Sequence, residues 1–508
     1  MRPASARLLW LLAGMTLVRG ALAASIPLFH DEAYYWLWAR RLDWGYLDHP
    51  PMIAYLVRLG TLGGNGPLWI RAPALVIGAV EAYALFLLGR DLFDEPTGFR
   101  AALLAQIVPI LGAIGIFAAP DTPMYLAWTV TLRLAWQAVH GRPRRWLGAG
   151  LAVGGGLLSK LYMGFLGIGL AAYLMRSGNS WFRRREPYLA ALVALVVVLP
   201  VIYWNAAHGW ATVRFLLFER SEPGAEPGRD PILVRLLGQH AALVGVLFPA
   251  FLWAGWTAWR RRGDERFAFL LLTSLPAAVF PVLVAPLGAA RGHLLGPAYI
   301  GLAVVLAALW NRAVTGLAVG QIGLLAALVA QILIPALPPP PGSREYYGWR
   351  EAGDRVRQEV VQAGGRAVIV AHRYQVAAQL AYHTGGRIPV LLLPRPPVGA
   401  IWPDPRAFAG STAVAVTYAP ERFQFEHCFR RVEERTPIKV TLRGRPIQEF
   451  RIFRLSGLSQ ACQPRTGSRQ EQEIVVSRSI FSGTYVYRWW VACAADRTAP
   501  GPRQPARS

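Results

Sequence analysis

The chain has 508 residues, of which 54% are hydrophobic and 16% are charged. This composition excludes a water-soluble protein over most of the length. The net charge of +24 does not indicate nucleic-acid binding, because much of the arginine lies in short clusters between apolar segments, where it is typical of membrane topology. We therefore predict a polytopic α-helical membrane protein.

Apolar segments of membrane length recur through the first two thirds of the chain. The first, residues 8–28, follows Arg2 and Arg7, which predicts a cytoplasmic N-terminus. Residues 21–23 also match a signal-peptidase site, so a cleavable signal stays open as an alternative. The segments that follow add up to about 11 spans, an odd number that places the C-terminus on the outer face.

Residues 29–51, FHDEAYYWLWARRLDWGYLDHPP, form the first outer loop. The loop combines acids, imidazoles and amphipathic aromatic rings at a bilayer edge, which favours chemistry on a polar group. An aromatic belt alone would explain the rings but not the adjacent acids. The candidate residues of this loop are Asp31, Glu32, Tyr34, Tyr35, Asp48 and His49.

A lysine in the middle of a membrane segment is a further candidate. Arginine clusters flank residues 146–175 on both sides, so this segment has to turn back, and we predict the turn at Ser159-Lys160. Lys160 then lies inside the protein, where a lysine usually pairs with an anion. The alternative is a lysine that extends from a helix end to the membrane surface.

Shorter polar stretches supply the other candidates, each with a structural alternative. Asp121 lies in the turn APDTP, where it could instead cap the next helix. His208, Trp210 and Arg214 lie in a second long outer loop and could instead form an interfacial anchor. Arg291 and His293 could simply mark a helix end.

The pattern changes after the proline run at residues 338–341. Helices are predicted over residues 349–362 and 375–383, and strands over 367–370, 390–393, 413–418, 438–442 and 450–455. We therefore divide the chain into a membrane domain (residues 1–340), an outer α/β domain (341–465) and a tail predicted to be disordered (466–508).

Five motifs in this order resemble the bacterial family 39 glycosyltransferases, which are related to the protein O-mannosyltransferases and to the aminoarabinose transferase of lipid A. They are DEAYYW, DHPP, APDTP, GLLSK and WNAAHGW. The resemblance covers residues 8–340 and implies a GT-C fold in the inner membrane, with the active site and the C-terminal α/β domain on the periplasmic face. It also implies inverting transfer of a sugar from a polyprenyl-phosphate donor to lipid A, lipopolysaccharide core, another glycan or a protein.

The resemblance suggests roles for the candidate residues. Asp31 or Glu32 would be the catalytic base, with a slight preference for Glu32, and Asp121 would assist with the acceptor or a metal. Lys160, His49, Arg291 and His293 would bind the donor phosphate, although the aminoarabinose enzyme carries a lysine where His49 stands. Tyr34, Tyr35, Asp48, His208, Trp210 and Arg214 would line the substrate site.

Other interpretations remain at this level. A transporter or flippase of polyprenyl-linked sugars would use the same anion-binding residues, and a purely structural envelope protein would leave the acids unexplained. A divalent cation stays open, and no organic cofactor or nucleic acid is expected. The oxidising outer compartment favours a disulfide between Cys428 and Cys462, although Cys493 is an alternative partner.

Overall fold

The computed structural model describes residues 3–177, 179–216, 232–284, 292–333, 346–393, 401–418, 426–442 and 444–459. The predicted domain boundary, the predicted tail, Arg291 and Cys462 lie outside these ranges. Cys428 is buried and disulfide-bonded, but its pairing with Cys462 stays a prediction.

The described part of the membrane domain is helical. Its helices are α1 (Pro3–Ser25), α2 (His30–Arg40), α3 (Met52–Gly60), α4 (Pro67–Leu92), α5 (Glu95–Ile107), α6 (Pro109–Gly112), α7 (Asp121–Val139), α8 (Arg145–Leu157), α9 (Gly164–Arg176), α10 (Glu186–Ala207), α11 (Ala211–Arg214), α12 (Ile232–Val244), α13 (Phe248–Arg260), α14 (Glu265–Val284), α15 (Gly296–Ala308) and α16 (Arg312–Leu333).

Six described helical segments are long and apolar enough to cross a membrane, and a bent pair with an 83° break would make a seventh. The six are Ala6–Ser25, Pro67–Leu92, Glu186–Ala207, Leu237–Arg260, Glu265–Val284 and Arg312–Ile332. The expected number of about 11 spans stays a prediction. Helix α7 is not among the six, and it carries polar side chains. Its Arg133 and Gln137 both donate to Asp91.

Small residues allow the helices of the bundle to approach closely. A Cβ atom at Gly98 of α5 would lie 2.3 Å from the carbonyl oxygen of Phe86 in α4. A Cβ at Gly150 of α8 would lie 2.2 Å from the carbonyl oxygen of Ala190 in α10. Glycine at these crossings lets backbones pack directly, a common solution where neighbouring helices lie in lipid.

The C-terminal domain contains a mixed five-stranded sheet with two helices, α17 (Trp349–Gln362) and α18 (Tyr374–His383). The strands are β1 (Val368–Ala371), β2 (Val390–Leu392), β3 (Ala413–Tyr418), β4 (Phe429–Leu442) and β5 (Arg445–Leu458). Their order is β2-β1-β3-β5-β4, with β1 parallel to β2 and β3, and β5 antiparallel to β3 and β4. The presence of an α/β domain is therefore confirmed.

Helix α2 lies in the segment that was predicted as a loop. Its Tyr34, Tyr35, Trp36 and Trp38 are all buried. They form one hydrophobic core with α17, α18 and the sheet. The segment is helical because the C-terminal domain covers its aromatic side chains, and a sequence pattern cannot show a contact made by residues more than 300 positions away.

Candidate active site

An ion pair at the N-terminus of α7 forms the centre of the candidate site. The Lys160 ammonium donates to the two carboxylate oxygens of Asp121 over 2.8 Å and 2.9 Å. The two side chains are only 10% and 20% exposed. Lys160 reaches this position because the chain breaks between α8 and α9, where the Ser159 hydroxyl donates to the Pro120 carbonyl over 2.5 Å. A break in the helix at Ser159-Lys160 and the burial of Lys160 against an anion are confirmed, whereas the reversal of the chain at this break stays a prediction.

The DHPP motif lies against this pair. The backbone amide of Met52, the first residue of α3, donates to the Leu158 carbonyl over 3.0 Å, and the amide of Tyr46 donates to the His49 carbonyl over 3.2 Å. The half-buried His49 side chain lies within electrostatic range of the Asp121 carboxylate. The Met52–Leu158 backbone hydrogen bond thus joins two motifs that are about 100 residues apart in the sequence.

His293 is a third residue that lies near Asp121. It lies in a short 3₁₀ turn, Gly292–Leu295, just before α15, and is also within electrostatic range of Asp121. The close contact between this turn and α7 depends on Gly296, because a Cβ atom there would lie 1.4 Å from the Tyr125 hydroxyl oxygen of α7. Three of the four predicted phosphate-binding residues are therefore near Asp121, and the fourth, Arg291, lies outside the described residues.

Glu32 is held inside the protein. Its carboxylate accepts hydrogen bonds from the Arg71 guanidinium, from the Phe29 amide and from the Ala118 amide. The Arg71 and Glu32 side chains are 0% and 2% exposed. Arg71 also donates to the carbonyl oxygens of Ala23, Ile26 and Pro27. A carboxylate occupied in this way is a structural anchor, so the geometry disfavours the earlier preference for Glu32 as the base.

Asp31 has the opposite environment, although it is the adjacent residue. Its side chain is exposed, and its Oδ1 atom accepts a hydrogen bond of 2.9 Å from the Tyr374 hydroxyl of α18. Neighbouring residues of a helix point in different directions, so one acid enters the core while the other faces outward. Of the two predicted acids, Asp31 is the exposed one.

Aromatic side chains connect Asp31 with the His49 region. The Tyr34 ring is 4.9 Å from the Tyr374 ring, between centroids, and its hydroxyl lies within electrostatic range of both Asp31 and Asp48. The Tyr35 ring is 6.5 Å from the His49 ring. Both tyrosines are buried, and their side chains belong to the hydrophobic core that α2 shares with the C-terminal domain.

The segment that contains His208, Trp210 and Arg214 packs against the segment of residues 29–51. The Thr212 hydroxyl donates to the Tyr46 carbonyl over 2.8 Å. His208 stacks on Trp204 with 4.2 Å between ring centroids, and Trp210 has a left-handed backbone with φ of 58°. The three predicted side chains are exposed.

Sequence reasoning missed two residues that organise the site. Arg71 carried a detectable signal, because an arginine within a long apolar helix has to find a partner. Tyr374 carried none, because its contact with Asp31 depends on how the C-terminal domain docks. The described residues contain no group of three or more His, Cys, Asp or Glu side chains that could hold a metal ion. The expectation of a divalent cation stays untested.

Comparison with known proteins identifies the fold. The chain superposes on the crystal structure of ArnT from Cupriavidus metallidurans in the apo state with a TM-score of 0.58 and 14% identity, covering 89% of this chain and 98% of that chain. The same enzyme bound to undecaprenyl phosphate also gives a TM-score of 0.58, with 87% and 97% covered. The fold is therefore that of the GT-C membrane glycosyltransferases.

Sequence comparison identifies the family. The profile of the dolichyl-phosphate-mannose-protein mannosyltransferase family matches residues 48–204. The lipid A galacturonosyltransferase RgtD of Rhizobium johnstonii is 30% identical over 364 residues, which cover 69% of this chain and 76% of that protein. The chain belongs to the family 39 glycosyltransferases, as its motifs predicted.

Proposed function

We propose that this protein transfers a sugar from a polyprenyl-phosphate carrier to lipid A or another envelope acceptor at the periplasmic face of the inner membrane. Two similarities support the proposal. A relative is a lipid A galacturonosyltransferase, and the enzyme with the same fold binds undecaprenyl phosphate. Galacturonic acid is therefore the first sugar to test, and lipid A the first acceptor.

The cluster around Asp121 is the observation that carries the proposal. It gathers Lys160, His49 and His293 around one partly buried carboxylate. An ammonium has three N–H donors, and the two contacts with Asp121 leave it able to donate to a phosphate oxygen as well. In this proposal Asp121 holds Lys160 in place, and the two imidazoles add hydrogen-bond donors when they are protonated. The donor phosphate binds here.

Asp31 is the base in this proposal. The acceptor hydroxyl attacks the anomeric carbon and the carbon–oxygen bond to the carrier phosphate breaks, so the configuration inverts. The hydroxyl proton passes to the Asp31 carboxylate, and the bonding electron pair leaves on the phosphate oxygen, which Lys160 stabilises. Tyr34, Tyr35 and Asp48 shape the space beside Asp31, and His208, Trp210 and Arg214 contact the substrate at the rim.

The test is a transfer assay with the purified protein in proteoliposomes. Undecaprenyl-phosphate galacturonic acid is the donor, lipid A is the acceptor, and products are separated by mass spectrometry. We expect transfer by the parent protein and a loss of about 10²- to 10⁴-fold in Asp31→Asn. Asp43→Asn is the matched control, because Asp43 lies in the same segment and accepts a hydrogen bond from the Trp44 amide instead. It should retain transfer.

Two outcomes would contradict the proposal. Near-parental transfer by Asp31→Asn would remove the proposed base. Movement of an intact donor across the bilayer, with its glycosidic bond unbroken, would instead identify a transporter. Mass spectrometry of envelope glycolipids from a deletion strain and its parent would identify the natural acceptor and sugar, because the glycolipid that carries this sugar would be absent from the deletion strain.

A further inference from the structure

The C-terminal domain contacts the membrane domain at the proposed base itself. Tyr374 is the first residue of α18, and its hydroxyl lies 2.9 Å from the Asp31 Oδ1 atom. Its ring packs against Tyr34, one turn of α2 further on. A residue of the C-terminal domain therefore contacts the side chain that we assign to proton transfer.

Other contacts dock this domain independently of Tyr374. The Gln379 amide donates to the Leu28 carbonyl over 2.8 Å in a buried position. The Tyr382 hydroxyl donates to the Asn65 carbonyl over 2.8 Å, and the Arg41 guanidinium donates to the Ile401 carbonyl over 3.0 Å. These contacts reach backbone atoms, whereas Tyr374 reaches a carboxylate. Docking alone does not require the Tyr374 hydroxyl.

We propose that Tyr374 is a positioning residue, through which the C-terminal domain orients the Asp31 carboxylate for proton transfer. The inference rests on the proposed function of Asp31. A hydroxyl that donates to one carboxylate oxygen fixes the side-chain rotamer, directs the second oxygen toward the acceptor and stabilises the ionised form. Such a hydrogen bond restricts the rotamers that an exposed aspartate side chain samples. The active site is then complete only when the C-terminal domain is docked.

Several charged and titratable groups surround this contact. His30 and Tyr34 lie on α2 with Asp31, and Arg373 precedes Tyr374 and lies within electrostatic range of His30. Asp48 lies within electrostatic range of Tyr34. A comparison of two variants that keep all of these groups isolates the effect of the Tyr374 hydroxyl.

Tyr374→Phe and Tyr382→Phe are matched variants, because both remove one hydroxyl from α18 at the same interface. The measurement is the pH profile of kcat/KM for sugar transfer. We expect Tyr374→Phe to move the acidic limb upward by about 0.5 to 1 pH unit and to lower the rate near neutral pH by about 3- to 10-fold. The acidic limb of Tyr382→Phe should lie at the same pH as that of the parent protein.

The outcomes separate this inference from the proposed function. If the acidic limb of Tyr374→Phe coincides with that of the parent while Asp31→Asn abolishes transfer, the domain has only a structural role and the inference is overturned. A limb that moves equally in both tyrosine variants overturns it as well, because the shift would then reflect the interface as a whole. If Asp31→Asn retains transfer, the proposed function itself fails.

Discussion

Replacement of Glu32 by glutamine tests the distinction between the two adjacent acids. Glu32 joins three parts of the protein, because its carboxylate binds Arg71 of α4, the Phe29 amide before α2 and the Ala118 amide before α7. The segments it ties together carry Asp31 and Asp121. A glutamine amide has one accepting oxygen and one donating nitrogen. At least one of the N–H groups that now donate to Glu32 would therefore lie against the amide nitrogen, which cannot accept a hydrogen bond.

The structure sets the size of the effect. The Arg71 guanidinium is fully buried and would lose its countercharge, which costs about 3 to 5 kcal/mol when one member of a buried pair is removed. The unfolding equilibrium should shift by about 10²- to 10⁴-fold. Asp31→Asn, by contrast, changes an exposed side chain and should alter stability by about 0.5 kcal/mol or less.

Thermal unfolding of the purified variants in detergent, beside the transfer assay, measures both effects. We expect Glu32→Gln to melt well below the parent and to keep more transfer per folded molecule than Asp31→Asn does. The double variant Glu32→Gln, Arg71→Gln should recover part of the stability, because no buried charge is then left unpaired. A Glu32→Gln protein as stable as the parent but without transfer would refute the reasoning and restore Glu32 as the base.

Two further predictions concern other charged groups. Lys160→Met should abolish binding of polyprenyl phosphate, measured with a labelled ligand. It should also lower stability, because the partly buried Asp121 carboxylate loses its ammonium partner. Adding Asp121→Asn should recover stability without recovering binding. If Lys160→Met binds the ligand as the parent does, the phosphate assignment is wrong. Burial, followed by the charges of Arg357 and Arg350, lowers the pKa of His383 to about 4. The unfolded state therefore binds more protons than the folded state below about pH 6.5. The free energy of unfolding should fall as the pH is lowered from about 6.5 to about 4. His383→Gln should flatten that dependence in thermal unfolding measured across this range.

The elements of the C-terminal domain that follow local patterns were predicted well. Helix α17 and strand β3 have the predicted bounds, because an amphipathic helix pattern and a mostly apolar run are local signals. Strand β4 was predicted over residues 438–442 but begins at Phe429. Its added part carries exposed charged residues that pair in the sheet with β5, and a local hydrophobic pattern does not reveal such pairing.

The sequence by itself determined the membrane class, the family and the residue types of the site. Long apolar segments, arginine clusters and five ordered motifs are local features, and they depend on no folded contact. The break at Ser159-Lys160 was also predictable, because the arginines on both sides left too few residues for two full crossings.

Only the tertiary structure decided which of two neighbouring acids is available for chemistry. Asp31 and Glu32 have almost the same side chain and adjacent positions, so no local rule separates them. Glu32 points to Arg71, 39 residues away, and Asp31 points to Tyr374, 343 residues away. The role of each carboxylate depends on its solvation and partners, and packing brings those partners from distant parts of the chain.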